Sequence, residues 1–521
     1  MLAYDSTLAR AEAVHGDADR GAAHSVQPAE LEGPIPETAT SHAFNGATWS
    51  KVPVPLARHG YVQDEYYARG EANVYEWVPA TDYAVNVVRS AEYTTRVLVT
   101  RPVDMERFSG RAVVEIINMS AGYDWQAIWA SLWERVVANG DAFVGVTSKP
   151  NVFAPMVRFD PARYSCLSMP NPLPQVEQAC GLLPRQRGYD PNLSRLYENG
   201  LVWDVISQIG AVLKSPDGSN PLGTPAERLY LAGESQSGEY LLRYFRWFHR
   251  RANTAVGRPI FDGYLCEDGG GSIYSIPPLN QCGDVAVPLP PDDPQRLIPG
   301  RGVPLIVLHS EWGFGARRPR GHSALYQPVL DEPSPRKPDA DTAEDRFAMW
   351  ELAGASHGWT WQYDYGDAAI DDLVRAGLAD TRADFNCGPL QPEINLYMVE
   401  KAAYEWLDRW VTIGTAPPHA DYLETSAGEP VRDEVGNAVG GLRMPEIAVP
   451  IATYTGLFAP GPDGTDAVRP FDRSLLGRRY DTHADYVDEF AAAAARLVDG
   501  AFLLEEDART LIEQASLRPV P

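Results

Sequence analysis

Long apolar runs are missing from this sequence: none reaches the roughly 18 residues that a membrane-spanning helix needs, so no membrane span is expected. Positive charge is in deficit, with 45 Lys and Arg against 70 Asp and Glu and a formal net charge of −25. The acidic residues are spread along the chain, and such a surface repels a phosphate backbone, so no nucleic-acid partner is expected. Only five of the basic residues are lysine (Lys51, Lys149, Lys214, Lys337 and Lys401), an Arg-rich bias from which no function follows. Cysteine is sparse and odd in number at five (Cys166, Cys180, Cys266, Cys282 and Cys387), and no pair has CxxC spacing, which argues against a structural zinc site. Neither HxH nor HExxH occurs, which argues against a metal-dependent hydrolase. The first residues, MLAYDSTLARAEAVHGDADRG, carry neither a basic nor an apolar signal region, so the expected address is cytoplasmic, with secretion of a processed form left open. Thiols stay reduced in that compartment, which weighs against bridges although the separations within Cys166/Cys180 and Cys266/Cys282 would allow two.

What is present is a globular composition, 44% hydrophobic and 22% charged, in a chain long enough for several domains or one heavily decorated fold. Residues 1–40 are polar and aperiodic and read as a loosely ordered leader; residues 41–521 are expected as one decorated domain. Residues 61–102, rich in Tyr, Val and Thr with turn residues between, predict antiparallel strands. The pattern then changes to strand at 112–118 (AVVEIIN), helix over 122–139 with Trp125, Trp129 and Trp133 at helical spacing, and strand in DAFVGVTS. A helix over 199–215, a strand at 228–232, a helix from Ser237 onward, and strands at 261–266, 303–309 and 347–352 follow. Alternating strands and helices predict an α/β fold with a mostly parallel sheet covered on both faces. Insertions at about 150–198, 268–300 and 359–392 are longer than ordinary α/β connections and are expected to form a cap or pocket walls.

The segment RLYLAGESQSGEYLLRYF carries the chemistry. A strand runs into Gly233-Glu234-Ser235-Gln236-Ser237-Gly238 and leaves as a helix, the context of a nucleophile elbow. Small residues two before and two after the serine let the chain turn tightly; Gly233 and Ser237 meet that need, although Ser237 stands where glycine is more usual. A Gly/Ser-rich turn also serves simply to join a strand to a helix, but downstream partners favour Ser235 as a nucleophile. A serine needs a base, and FAMWELAGASH supplies a strand, a Gly-containing turn and His357. His309 reads better as a core histidine at a strand end, and His249 and His322 sit among arginines. The acid that orients the base is expected in the loop after VPLIVLHS, which names Glu311; Asp268, after FDGYLCED, is the rival. An oxyanion hole requires two backbone N–H donors: Gln236, directly after the nucleophile, and Met119 or Ser120 in the loop after AVVEIIN.

With these residues in view, the chain resembles serine hydrolases of the α/β-hydrolase superfamily. The phrases EYYARGEANVYE, VVEIINMSAGYDW, NGDAFVGVTSKP, LAGESQSGEYLLRY, LHSEWGFG, WELAGASHGW and GGLRMPEIAVPIATY further resemble large α/β-hydrolase-domain proteins of bacteria and fungi, over about residues 30–460 or beyond. The resemblance implies an eight-stranded, mostly parallel sheet, the triad Ser235, Glu311 and His357, and hydrolysis of carboxylic esters.

The expected activity is hydrolysis of a small-molecule ester through an acyl-enzyme, with no metal or organic cofactor. Acyl transfer and peptide cleavage use the same triad, and a non-catalytic hydrolase-like binding protein is the reading from a different class. Aromatic residues cluster near the site in sequence (Trp125, Trp129, Trp312, Phe314, Trp359, Trp361 and Tyr363) and either fill the core or line an apolar pocket. Arg317, Arg318 and Arg320 form a basic patch that reads as a solvated face or as a seat for a carboxylated substrate.

Overall fold

The computed structural model describes residues 24–38, 40–78, 81–173, 196–269, 279–280, 293–294, 296–314, 336–358, 360–378, 394–456 and 468–520. Ten strands form the main sheet. They are β1 (Glu30–Glu32), β2 (Tyr61–Trp77), β3 (Val85–Pro102), β4 (Arg111–Ile116), β5 (Ala142–Val146), β6 (Arg228–Glu234), β7 (Gly263–Glu267), β8 (Pro304–Ser310), β9 (Ala340–Asp341) and β10 (Arg346–Leu352). Their order across the sheet is β9-β10-β8-β7-β6-β4-β5-β3-β2-β1. The contiguous run β10-β8-β7-β6-β4-β5 is parallel, and antiparallel strands flank it on both sides.

The sheet thus has two strands more than the resemblance implies. The surplus falls at the edges, in β1 and β9, which are three and two residues long. Strands that short carry no readable alternation; backbone pairing to distant partners makes them, Glu30–Glu32 against Tyr67–Arg69 and Ala340–Asp341 against Phe347 and Arg346. The expected leader is corrected by the same pairing. Residues 24–38 are ordered, with His24–Ser25 parallel to Ala252–Asn253 and β1 closing the sheet, while residues 1–23 lie outside the described residues.

The core follows from strand alternation, which sends successive side chains to opposite faces. Val113, Phe143, Tyr230, Leu265, Ile306 and Leu308 point to one face. There they meet α1 (Ala127–Asn139) and α4 (Leu396–Ile413), and the C-terminal α5 (His483–Asp499) and α6 (Glu505–Ser516) extend the same apolar cluster. Ala112, Val114, Val144, Leu231, Tyr264 and Val307 point the other way, toward α2 (Val202–Lys214) and α3 (Gln236–Trp247). Strands covered on both faces read as continuous apolar runs, and these do. α1 stops at Gly140, whose φ of 76° is the left-handed cap that glycine takes without strain. Cys166 and Cys266 are free thiols; Cys180, Cys282 and Cys387 lie outside the described residues.

The sheet also buries acid. Glu115 on β4, Glu234 and Glu267 as register partners on β6 and β7, and Glu400 on α4 are each at most 1% exposed. Burial raises the Glu115 carboxyl to about 8, although it accepts the Ile128 and Trp129 N–H groups at the start of α1, and the nearby Glu400 and Glu234 push it the same way. Burial likewise raises Glu400 to about 8 and holds Glu267, which faces it, well above the usual carboxylate range. These carboxyls keep their protons in the fold and lose them when it opens, so stability is greatest below the unfolded value near 4.5 and falls as pH rises toward 8. Each such group costs about 1.4 kcal/mol of stability per pH unit in that window. The melting temperature of the protein is therefore expected to fall between pH 5 and pH 8, and less steeply in Glu400→Gln, whose amide takes up no proton in either state. Parallel melting curves for the two proteins at four pH values test this; identical slopes would refute the assignment.

Candidate active site

β6 ends at Glu234, and α3 begins at Gln236, so a single residue makes the turn. That residue, Ser235, has φ 53° and ψ −121°, a strained conformation for any residue with a Cβ. The approach is steric as well: a Cβ on Gly233 would lie 2.6 Å from the Ser237 carbonyl oxygen, so only glycine fits before the turn. The result lifts Ser235 to a half-buried position at the C-terminal end of the parallel strands, with its N–H donated to the Glu267 carbonyl of the neighbouring strand.

Beyond β10, residues 353–358 bring His357 over the elbow. Ser235 Oγ is 2.7 Å from His357 Nε2. On the far side of the ring, His357 Nδ1 is 3.0 Å from Asp268 Oδ2. The indole of Trp312 stacks on the imidazole at 4.2 Å and 15°, fixing the plane of the ring. The unbroken line hydroxyl–imidazole–carboxylate is the arrangement that lets a ring nitrogen take a proton from the hydroxyl while the carboxylate holds the other N–H.

The carboxylate at the imidazole is Asp268 and not the expected Glu311. Asp268 directly follows β7 with φ 46°, and its N–H is donated to the Leu308 carbonyl. Its Oδ1 accepts the Ser310 N–H at 2.6 Å and its Oδ2 the Ser310 hydroxyl at 2.5 Å, while His309 Nδ1 lies 3.6 Å from Oδ1. Burial works to raise this carboxyl, but the hydrogen bonds and charge of His309 and His357 outweigh it and hold it well below the usual carboxylate range. Glu311 is fully buried elsewhere: Oε2 accepts the Gly354 N–H at 2.6 Å and Oε1 pairs with Arg432 Nη1 at 2.5 Å. Burial raises its carboxyl despite that arginine. It props the loop that carries His357 without touching the ring. Two adjacent strands each end in a carboxylate, and only the left-handed turn at Asp268 aims one at the imidazole.

Of the expected oxyanion donors, Gln236 lies at the first position of α3, a twelve-residue helix, where its N–H joins the positive end of the dipole. Ser120 N–H is donated to Asn118 Oδ1 at 2.7 Å, which closes a local turn and engages that donor. Met119 lies between Asn118 and Ser120, and its carbonyl accepts the Gly122 N–H at 2.8 Å.

Two residues beside the serine escape sequence reasoning. Glu234 Oε1 is 3.7 Å from His357 Nε2, and its Oε2 accepts Asn118 Nδ2 at 2.6 Å. Burial raises this carboxyl to about 7, with His357 opposing and Asp268 reinforcing the shift. Lys149 is 2% exposed and donates to Ser237 Oγ at 2.7 Å and to the Ile117 carbonyl at 3.0 Å. Nothing in a single sequence marks a lysine as buried. Only its rarity singles out Lys149.

The aromatic cluster divides. Trp129 and Phe314 are core residues, Trp125 stacks on Tyr363 at 5.5 Å, Trp361 stacks on Tyr397 at 4.9 Å, and Trp312 packs on the imidazole. Trp359, Arg317, Arg318 and Arg320 lie outside the described residues. Among the described residues there is no group of three His, Cys, Asp or Glu side chains arranged to hold a metal ion, and no helix is long and apolar enough to cross a membrane.

Residues 31–513 match the family model described as alpha/beta hydrolase domain. No curated protein matches the chain at a significant level. Among solved structures, the chain is similar to esterase Est22 (13% identity, 62% of this chain and 80% of that one, TM-score 0.29). It is also similar to a bacterial esterase (11%, 68% and 97%, TM-score 0.25) and to carboxylesterase Cest-2923 from Lactobacillus plantarum WCFS1 (8%, 45% and 70%, TM-score 0.23).

Proposed function

The chain belongs to the α/β-hydrolase-domain family, and from that premise we propose that it is a serine hydrolase that cleaves carboxylic esters of small molecules through an acyl-enzyme. The observation that carries the reading is the continuous contact from Ser235 through His357 to Asp268 on a strained elbow. Ser235 Oγ attacks the ester carbonyl carbon as His357 Nε2 takes its proton. Asp268 holds Nδ1–H and stabilises the imidazolium, and its low pKa keeps it ionised throughout. The oxygen that becomes negative in the tetrahedral intermediate is met by the N–H groups of Gln236 and Met119. When the intermediate collapses, the C–O bond to the alcohol breaks and His357 returns its proton to that leaving oxygen. Water, deprotonated by the same ring, then attacks the acyl carbonyl and releases the acid and free Ser235.

The test is turnover of p-nitrophenyl esters of graded acyl length, together with fluorophosphonate labelling and peptide mapping. The expected result is ester turnover and a label on Ser235. Labelling without turnover would shift the reading to acyl transfer onto an acceptor other than water. Absence of both would favour a binding protein.

A further inference from the structure

Ser237 departs from the small glycine usual at its place, and the departure has a partner: its hydroxyl accepts the Lys149 ammonium at 2.7 Å. The second donor of the same ammonium reaches the Ile117 carbonyl at 3.0 Å, and its face lies 4.9 Å from the centre of the Tyr240 ring on α3. A buried ammonium is costly unless its donors and charge are satisfied. Here burial pulls Lys149 down to about 7, opposed by Asp124, Glu115 and Glu234. Asp124 is itself shared with Arg96 at 2.7 Å. A methionine would fill the same volume without that cost.

The two hydrogen bonds explain why a lysine stands there. Ile117 is the residue before Asn118-Met119, and Ser237 is the residue after Gln236. One ammonium therefore ties together the two backbone segments that carry the oxyanion donors. Asn118 makes a second tie, from Nδ2 to the Glu234 carbonyl at 3.1 Å and to its carboxylate. Ser237 itself is fully buried, so the lysine–serine pair is closed to substrate and is not a second nucleophilic site. We propose that Lys149 is a positioning residue that sets the separation of the Met119 and Gln236 N–H groups and so shapes the oxyanion hole; this rests on the serine-hydrolase reading above.

Donors set at a fixed separation stabilise the tetrahedral oxyanion and matter little to ground-state binding. Lys149→Met is expected to lower kcat/KM about 30- to 100-fold through kcat, with KM within about twofold. It should weaken a trifluoromethyl ketone, which adds to Ser235 as a tetrahedral oxyanion, by a similar factor. Ser237→Gly, which removes one acceptor only, should show the same pattern at about fivefold and stands in if Lys149→Met does not fold. A folded variant with kcat/KM within about threefold of wild type, or one whose activity falls while ketone affinity stays unchanged, would overturn the proposal. Fluorophosphonate labelling of wild-type Ser235 separates the two levels: without it the hydrolase reading fails and this one with it, whereas with it the variants judge Lys149 alone.

Discussion

Asp268→Asn is expected to lower kcat by about 10⁴-fold with little change in KM, because an amide that replaces the carboxylate leaves the imidazole in the wrong tautomer and its cation without a counter-charge. The Asn side chain is nearly isosteric and retains an acceptor for Ser310, so the loop should keep its shape. Glu311→Gln supplies the contrast. Its amide oxygen can still accept the Gly354 N–H, but the ion pair with Arg432 is lost, and the cost should appear as about 1–3 kcal/mol of stability with kcat within about tenfold of wild type. Kinetics and melting of the two variants side by side decide the matter. A collapse of kcat in folded Glu311→Gln, with Asp268→Asn still active, would return the acid to Glu311.

Ser235→Ala is expected to reduce ester turnover by on the order of 10⁵-fold or more and to abolish fluorophosphonate labelling, since neither His357 nor Asp268 has a hydroxyl left to activate. The loss should not come from unfolding, because alanine keeps the Cβ and hence the same backbone demand at φ 53°. Ser235→Gly sharpens the point. It is equally inactive, but glycine accepts that conformation without the Cβ penalty, and it should melt above Ser235→Ala by roughly 1 kcal/mol after its own entropic cost. Residual turnover in Ser235→Ala that a Ser237 substitution removes would place the nucleophile at the wrong serine.

Much of the parallel sheet was legible because its strands are buried on both faces and its helices amphipathic. AVVEIIN and VPLIVLHS read as strands from composition alone, with Arg111–Ile116 and Pro304–Ser310 as the observed spans. The stretch EIAVPIATYTG was harder. It is mostly apolar, yet a short helix, Pro445–Ala448, and a three-residue strand, Ala452–Tyr454, share it, because Pro450 interrupts it. β1 was invisible for a different reason: nothing in ELE distinguishes a strand from a loop until Tyr67–Arg69 lies beside it.

At the site, the division is sharper. The elbow and His357 were readable because their requirements are local: small residues around a serine between strand and helix, and a histidine in a loop after the following strands. By itself, then, the sequence determined the fold class and the elbow at Ser235, and it pointed to His357 as the histidine that meets it. Only the tertiary structure decided which carboxylate meets the imidazole, that the Ser120 N–H is engaged by Asn118, and that Lys149 is buried between Ile117 and Ser237. Those outcomes depend on neighbouring strands and on a single left-handed φ at Asp268, contacts between residues far apart in the chain that no local pattern encodes.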